Sequence, residues 1–248
     1  MLARSIDTKG GNITSIAVDR IAPNKASDIV VGNSDGLISI ILNARHVFGR
    51  RNIGSPVNAV AVQAVKGSEA LIVVGDTFGT VTALNLHGSV AWRVRLRDVA
   101  LMDNLKLKNT FEPRTTCDMI RCVHATSILD TEGVLSHYVL VCDGTPFVYF
   151  MSEGECVFSL SAPCIINTIC HGEFFKRGQK QIAIGGEDGI IYIIDEYFNL
   201  VEYINVHHPI TRLVAWSSVL FDDDALDLLL CAGHFSSLNI YKRREVNI

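Results

Sequence analysis

The chain has 248 residues, a net charge of −4, 48% hydrophobic residues and only 19% charged ones. That balance excludes a disordered chain and leaves room for one well-buried domain or two small ones. The acidic balance argues against general nucleic-acid affinity, which needs clustered Lys and Arg, and no apolar run reaches the 18 or so residues of a membrane helix.

Leu2–Ile6 is a short strand candidate. Ile13–Val18 is the next, followed by a Pro23/Asn24 turn and then Asp28-Ile-Val-Val-Gly-Asn-Ser-Asp-Gly-Leu-Ile-Ser-Ile-Ile-Leu42, which reads strand, tight turn, strand. The pattern returns after Val57–Val62 as Leu71-Ile-Val-Val-Gly-Asp-Thr-Phe-Gly-Thr-Val-Thr-Ala-Leu-Asn85. A degraded copy follows Met119–His124 as Tyr138-Val-Leu-Val-Cys-Asp-Gly144, with Pro146 at a strand start, where it suggests a bulge or an edge. The clearest copy is Gln181-Ile-Ala-Ile-Gly-Gly-Glu-Asp-Gly-Ile-Ile-Tyr-Ile-Ile-Asp195, after Ile166–Cys170. A fifth runs from Ile210–Trp216 through Asp227–Cys231 to Ser237–Tyr241, without a clear fourth strand, and carries the acidic run Phe221-Asp-Asp-Asp224.

Gly32 and Gly75 stand 43 positions apart, as do Cys142 and Gly185. A four-stranded unit of that length is the signature of a propeller blade. The expected fold is therefore all-β: a β-propeller of about five four-stranded blades, in a single domain over residues 1–248. The recurring glycine is expected to serve a hairpin turn that needs φ > 0. Leu2–Ile6 beside Ser237–Tyr241 would supply the fifth blade's missing strand and close the ring; Arg244–Ile248 turning back, or a larger ring completed by another chain, are the alternatives.

Asp98–Cys117 breaks the period, since Gly75 and Cys142 are 67 positions apart. Insertions in repeat proteins map to loops, and long loops are often functional. Lys106, Lys108, Phe111, Glu112 and Arg114 in this insertion, about residues 98–117, are the candidate partner-binding residues. A tolerated surface insertion is the plain alternative.

No catalytic constellation emerges. Gly32-Asn33-Ser34-Asp35-Gly36 matches Gly-x-Ser-x-Gly, but a nucleophile elbow needs a helix after it, and Leu37–Leu42 is β-patterned. Cys122 with His124, Cys170 with His171, and Cys231 with His234 lack the paired spacing of a zinc site, and neighbours on a strand point to opposite faces. The loop Lys176–Gln179 has no carboxylate for calcium, and Asp222–Asp224 reads as a solvated turn. Asn12-Ile13-Thr14 is a glycosylation sequon, without consequence in a cytoplasmic protein. Residues 1–12 are polar after Leu2, so no secretory signal is expected. Seven cysteines, several within strands, favour reduced buried thiols in a cytoplasmic protein. No metal, no cofactor and no enzymatic activity are expected.

The Asp28 and Gln181 segments resemble the E-L-[IV]-V-G-x-x-D-G-x-[IV]-x-[IV] core of integrin-alpha FG-GAP repeat-containing proteins, and the Bardet–Biedl syndrome protein propellers carry a similar core. The chain is thus similar to FG-GAP-like and WD-like β-propellers over most of its length. It departs from them in lacking the Asp-x-Asp-x-Asp-Gly calcium loop and the Gly-His and Trp-Asp dipeptides. Gly79–Trp92 looks like a quinoprotein-type repeat but occurs once. The resemblance implies a non-catalytic scaffold: a subunit of an intracellular multiprotein complex, of nutrient-signalling or ciliary-transport type, with protein partners, no nucleic acid and no membrane insertion. The rival is a small-molecule-binding or enzymatic propeller with a site at its central channel.

Overall fold

A computed structural model describes residues 5–21, 27–43, 45–65, 68–99, 119–129, 134–217 and 226–242. Among them are five antiparallel sheets, the blades of a β-propeller, and one short helical stretch at residues 96–99. The chain divides into two compact units. The first holds Met1–Ala125, Val139–Thr145 and Tyr149–Leu160; the second holds Thr126–Tyr138, Pro146–Val148 and Ser161–Ile248.

In the first unit, β1 (Ile13–Asp19), β2 (Asp28–Asn33), β3 (Leu37–Leu42) and β4 (His46–Asn52) form one sheet in chain order. A second follows from β5 (Val57–Gln63), β6 (Leu71–Asp76), β7 (Thr80–Leu84) and β8 (Val90–Arg95). Middle strands such as Ile-Val-Val-Gly are apolar on both faces because both are covered. Val30, Ile38 and Ile40 of the first sheet pack with Val57, Val60, Ile72 and Val74 of the second in one core.

The third sheet has β9 (Cys122–Leu129), β10 (Leu135–Cys142), β11 (Phe147–Ser152) and β12 (Glu155–Ser161), ordered β12-β11-β10-β9. Here β11 begins immediately after Pro146, where the missing N–H matters least. The expected strand Met119–His124 is displaced to Cys122–Leu129. Ile120 is instead tied to the second sheet, its N–H donating to Asp76 O at 3.0 Å.

In the second unit, β13 (Ile166–Lys176), β14 (Gln179–Gly186), β15 (Ile190–Ile194) and β16 (Leu200–Asn205) make the fourth sheet. The segment 176–179 is its first hairpin turn, with Gly178 at φ 74°. The fifth sheet has three strands among the described residues: β17 (Ile210–Trp216), β18 (Leu228–Gly233) and β19 (Asn239–Tyr241). Asp227, expected to open β18, instead exchanges hydrogen bonds with the Glu173 backbone, at 3.0 Å and 2.9 Å.

The repeat reaches finer detail than its length. The first strands of the first, second, fourth and fifth sheets each carry a register irregularity at the same place: Ile13/Ser15, Val57/Ala59, Ile166/Thr168 and Ile210/Arg212. Such bulges redirect side chains. Ser15 Oγ accepts the Val60 N–H at 3.0 Å, and Thr168 Oγ1 the Leu213 N–H at 3.1 Å. Asn58 and Asn167, one residue after each strand start, donate to Ile120 O at 2.6 Å and Ile210 O at 3.0 Å. Consecutive sheets are thus stitched by side chain to backbone at one recurring level.

The expectation for the recurring glycine needs correction. In the turn that follows the recurring position, the positive-φ glycines are Gly36, Gly79 and Gly189, at 85°, 75° and 72°. Gly32, Gly75 and Gly185 lie inside strands and serve close approach instead. A Cβ on Gly75 would sit 2.8 Å from Ile120 Cβ, and one on Gly185 would sit 2.9 Å from Ile210 Cγ2. The following sheet's first strand, or for Gly75 the residues leading into it, therefore leaves no space for a side chain there.

Of Leu2–Ile6, residues 1–4 lie outside the described residues, and Ser5 and Ile6 belong to no strand. The segment after them lies against the first sheet: Thr8 O accepts from Ser39 Oγ at 3.4 Å and Arg50 Nε at 3.2 Å, and Gly11 O accepts from Asn33 Nδ2 at 3.1 Å. Arg244–Ile248 lies outside the described residues.

Candidate interaction surfaces

Lys106, Lys108, Phe111, Glu112 and Arg114 lie outside the described residues, as does Asp222–Asp224. The flanks of the insertion are described: β8 ends at Arg95, residues 96–99 are helical, and the chain resumes at Met119 before entering β9.

The other sequence candidates resolve into structure. Asn33–Gly36 is a hairpin turn closed by Gly36 N–H to Asn33 O at 3.1 Å, and β3 rather than a helix follows it. Cys170 is buried in the core of the second unit, whereas its neighbour His171 is partly exposed. Burial pushes the Cys231 thiol up to about 11, and burial with help from Cys122 pushes that of Cys142 well above its ordinary range. Burial thus favours the protonated thiol at both positions. Among the described residues, no three His, Cys, Asp or Glu side chains gather as a metal site would require. Among them, too, no helix is long and apolar enough to cross a membrane.

His171 carries a measurable electrostatic consequence. Burial, assisted by Lys180, lowers its pKa from 6.5 to about 4. A base held below its free value stabilises the fold above pH 6.5 and loses that contribution as pH falls toward 4, because the unfolded chain takes up the proton first. Between pH 7 and pH 4, wild type should lose about 2 kcal/mol more than His171→Gln, after allowance for the partial exposure. Chemical denaturation at the two pH values measures the difference.

One class of buried polar residue went unread in the sequence. The position after the recurring glycine or cysteine holds Asn33, Asp76 and Asp143 in the first three copies, and all three are fully buried. Asp76 Oδ1 accepts the N–H groups of Phe78 at 2.9 Å and Thr80 at 2.8 Å, and Oδ2 accepts Ser55 Oγ–H at 2.5 Å. Asp143 Oδ1 accepts from Thr145 N and Oγ1, at 3.2 Å and 2.5 Å. Burial raises the Asp143 carboxyl above its ordinary value, against the opposing pull of Thr145 and Arg121. Asp76 is bonded through both oxygens, whereas among the described residues Asp143 Oδ2 and Asn33 Oδ1 are buried without a hydrogen-bond partner. The bonds that are made hold backbone and turns, which is an architectural role. Aligning the repeats at that column is the signal that finds them.

The faces of the sheets differ more informatively. In the fourth sheet, Cys170, Ala183 and Ile193 pair across three strands as one buried row. The equivalent row is Ala17, Val30 and Ile40 in the first sheet, and Ala61, Val73 and Ala83 in the second. In the first and fourth sheets it packs against the sheet that follows in the chain. In the fifth sheet the row is Val214, Leu230 and Ile240, and there Val214 and Ile240 are 44% and 59% exposed. Trp216, paired with Leu228, is 50% exposed. The opposite face of the same sheet, with Leu213, Leu229 and Cys231, is buried against the fourth.

No family model matches the sequence, and no curated protein sequence matches it. Solved structures match it in fold. BBS1N, crystallised in complex with ARL6DN, matches over 94% of this chain with 18% identity, at TM-score 0.67 in a lead-soaked crystal and 0.68 in a mercury-soaked one. Sqt1 of Saccharomyces cerevisiae matches over 94% of this chain at 7% identity and TM-score 0.64. The chain spans 67%, 66% and 60% of the length of those three solved chains. Identities this low establish the fold and leave function to the residues.

Proposed function

We propose that this chain is a non-catalytic protein-interaction propeller, a single domain over residues 1–248 acting as a scaffold subunit of a cytoplasmic multiprotein complex. The complexes of nutrient signalling and of ciliary transport are the types its repeat sequence resembles. The observation that carries the reading is the likeness in fold to BBS1N, a chain solved with a protein partner bound. It is supported by how the blades use their polar groups: Asp76 and Asp143 accept from backbone N–H groups of the turns that follow them, and Asn58 and Asn167 donate to backbone carbonyls of the next segment. What departs from the repeat is then left for recognition, namely the insertion at about residues 98–117. Lys106, Lys108 and Arg114 supply charge there, and Phe111 an aromatic anchor of the kind that dominates interfaces.

The test is affinity purification of the tagged full chain from its native extract, with quantitative identification of co-purifying chains. A defined set of partners at constant ratio is expected, and Lys106→Glu/Lys108→Glu/Arg114→Glu should lower their recovery about tenfold, since like charges across an interface repel. Recovery of the chain alone, carrying a bound small molecule or metal, would support the enzymatic or ligand-binding rival instead.

A further inference from the structure

Three arginines converge on one gap within the first unit. Arg51 of β4 is paired with Ile38, which packs in the core shared with the second sheet, so Arg51 lies on the side that faces that sheet. A Cβ on Gly88, in the turn between β7 and β8, would sit 3.5 Å from Arg51 Cβ. Arg93 of β8 is paired with Thr82, and Thr82 with Val74 of the same core, so Arg93 faces back toward the first sheet. Arg95 shares that side and stands about 6.8 Å further along the strand. The gap is open on the first sheet's side: a Cβ on Gly49, which is paired with Ile40, would meet nothing within 4 Å. Phe48 and His87, with ring centroids 6.1 Å apart, join β4 to the β7–β8 turn.

Charge on an outer strand often does no more than deter aggregation. Two observations point to a ligand instead. The first is the repeat's own precedent. Ser39 and Thr82 stand at one repeat position, paired with Val31 and Val74 before the recurring glycine, and across from them lie Arg50 and Arg93. In the first sheet a peptide segment meets this pair: Thr8 O accepts from Ser39 Oγ at 3.4 Å and Arg50 Nε at 3.2 Å, and Asp7 O accepts from Arg50 Nη2 at 3.3 Å. In the second sheet Thr82 Oγ1 is buried without a hydrogen-bond partner, and among the described residues no acceptor meets Arg93. The second observation is charge. In a chain of net charge −4, β4 and β8 carry arginines and no Asp or Glu, whereas the outer strands β12 and β16 carry Glu155 and Glu202 and no Lys or Arg. A basic strip confined to two short strands fits a peptide better than the long phosphate track of a nucleic acid.

We infer that the gap between β4 and β8 is a binding cleft for an extended acidic segment of a partner protein. Carboxylates two residues apart on that segment reach Arg93 and Arg95, and Arg51 meets the segment from the opposite wall. Forked guanidinium–carboxylate pairs hold it. The inference rests on the reading of the chain as an interaction module and adds a contact surface separate from the insertion.

Selection of a random peptide library on the purified full chain tests it. The selected peptides should be enriched in Asp and Glu at alternate positions. The best of them should bind the chain with an affinity that Arg51→Gln/Arg93→Gln/Arg95→Gln lowers about tenfold. Arg93→Lys, which keeps the charge and loses the fork, should lose part of that affinity, and Arg50→Gln, on the other side of β4, should lose none. Circular dichroism melting of each variant separates lost binding from lost fold. Peptides without acidic enrichment, equal binding to the triple variant, or tighter binding of oligouridylate or phosphatidylserine vesicles than of the best peptide would overturn the inference. If the cleft fails while the insertion variant still loses its partners, only the cleft is wrong. If the chain is also recovered alone from its native extract, the interaction reading falls with it.

Discussion

Gly75→Ala lowers the melting temperature of the chain by about 6–12 °C, while Gly49→Ala, in β4, leaves it within about 2 °C. The difference comes from what a Cβ would meet. At Gly75 it would overlap Ile120, whose Cβ is 2.8 Å away, and press on Val123 Cγ1 at 3.2 Å; at Gly49 nothing lies within 4 Å. Neither glycine has positive φ, so backbone strain does not enter. Ile120 is fully buried and its N–H is held by Asp76 O, so it has no open space to yield into. Overpacking of a close-packed core costs typically 1–3 kcal/mol, and this overlap should lie at the upper end, about 3 kcal/mol. At about 2–4 °C per kcal/mol for a chain of this size, the shift follows. Scanning calorimetry of the two variants side by side measures it, and equal behaviour would remove close approach as the reason for the glycine column.

Asp76→Ala is the second large effect, a loss of about 3–5 kcal/mol. Three donors lose their acceptor at once: the Phe78 and Thr80 N–H groups and the Ser55 hydroxyl. An orphaned buried donor costs about 1–3 kcal/mol, and water reaches this turn only in part. Asp76→Asn, which keeps one oxygen, should recover more than half of the loss. Asp143→Ala should cost less than Asp76→Ala, because Asp143 holds only Thr145 and its carboxyl is already disfavoured by burial. Urea unfolding gives the ranking. Asp143→Ala costing more than Asp76→Ala would show that burial, not the number of donors, sets the scale.

The blades were legible because their signals are local. The Asp-Gly pairs at Asp35-Gly36 and Asp188-Gly189 mark two hairpins, and alternation within Gly79–Trp92 marks a third. Strand ends were less so. Asp227 and Met119 look as much like strand as their neighbours, yet their stretches are held by bonds to residues far away in sequence, such as Glu173 and Asp76. The glycine column was visible, but its cause was not, because close approach depends on Ile120 and Ile210, which lie 45 and 25 positions further along. The fifth sheet's exposed row carried a signal that was overlooked. Leu228-Leu-Leu-Cys231 is apolar at consecutive positions, the pattern of a strand covered on both faces, in a sheet whose row Val214, Leu230 and Ile240 is exposed at Val214 and Ile240. The insertion's residues, by contrast, were singled out for breaking the period alone, and that says where variation sits without saying what it binds.

The central claim is that this propeller works by holding protein partners. Its most direct measurement is equilibrium binding of the partner recovered from native extract, purified, to the wild-type chain and to Lys106→Glu/Lys108→Glu/Arg114→Glu. The account predicts a saturable complex whose affinity drops about tenfold in the triple variant, with an unchanged melting temperature and a weaker salt dependence. A wild-type chain that sediments alone at 27.2 kDa in the partner's presence, or a triple variant that binds as tightly as wild type, would contradict it.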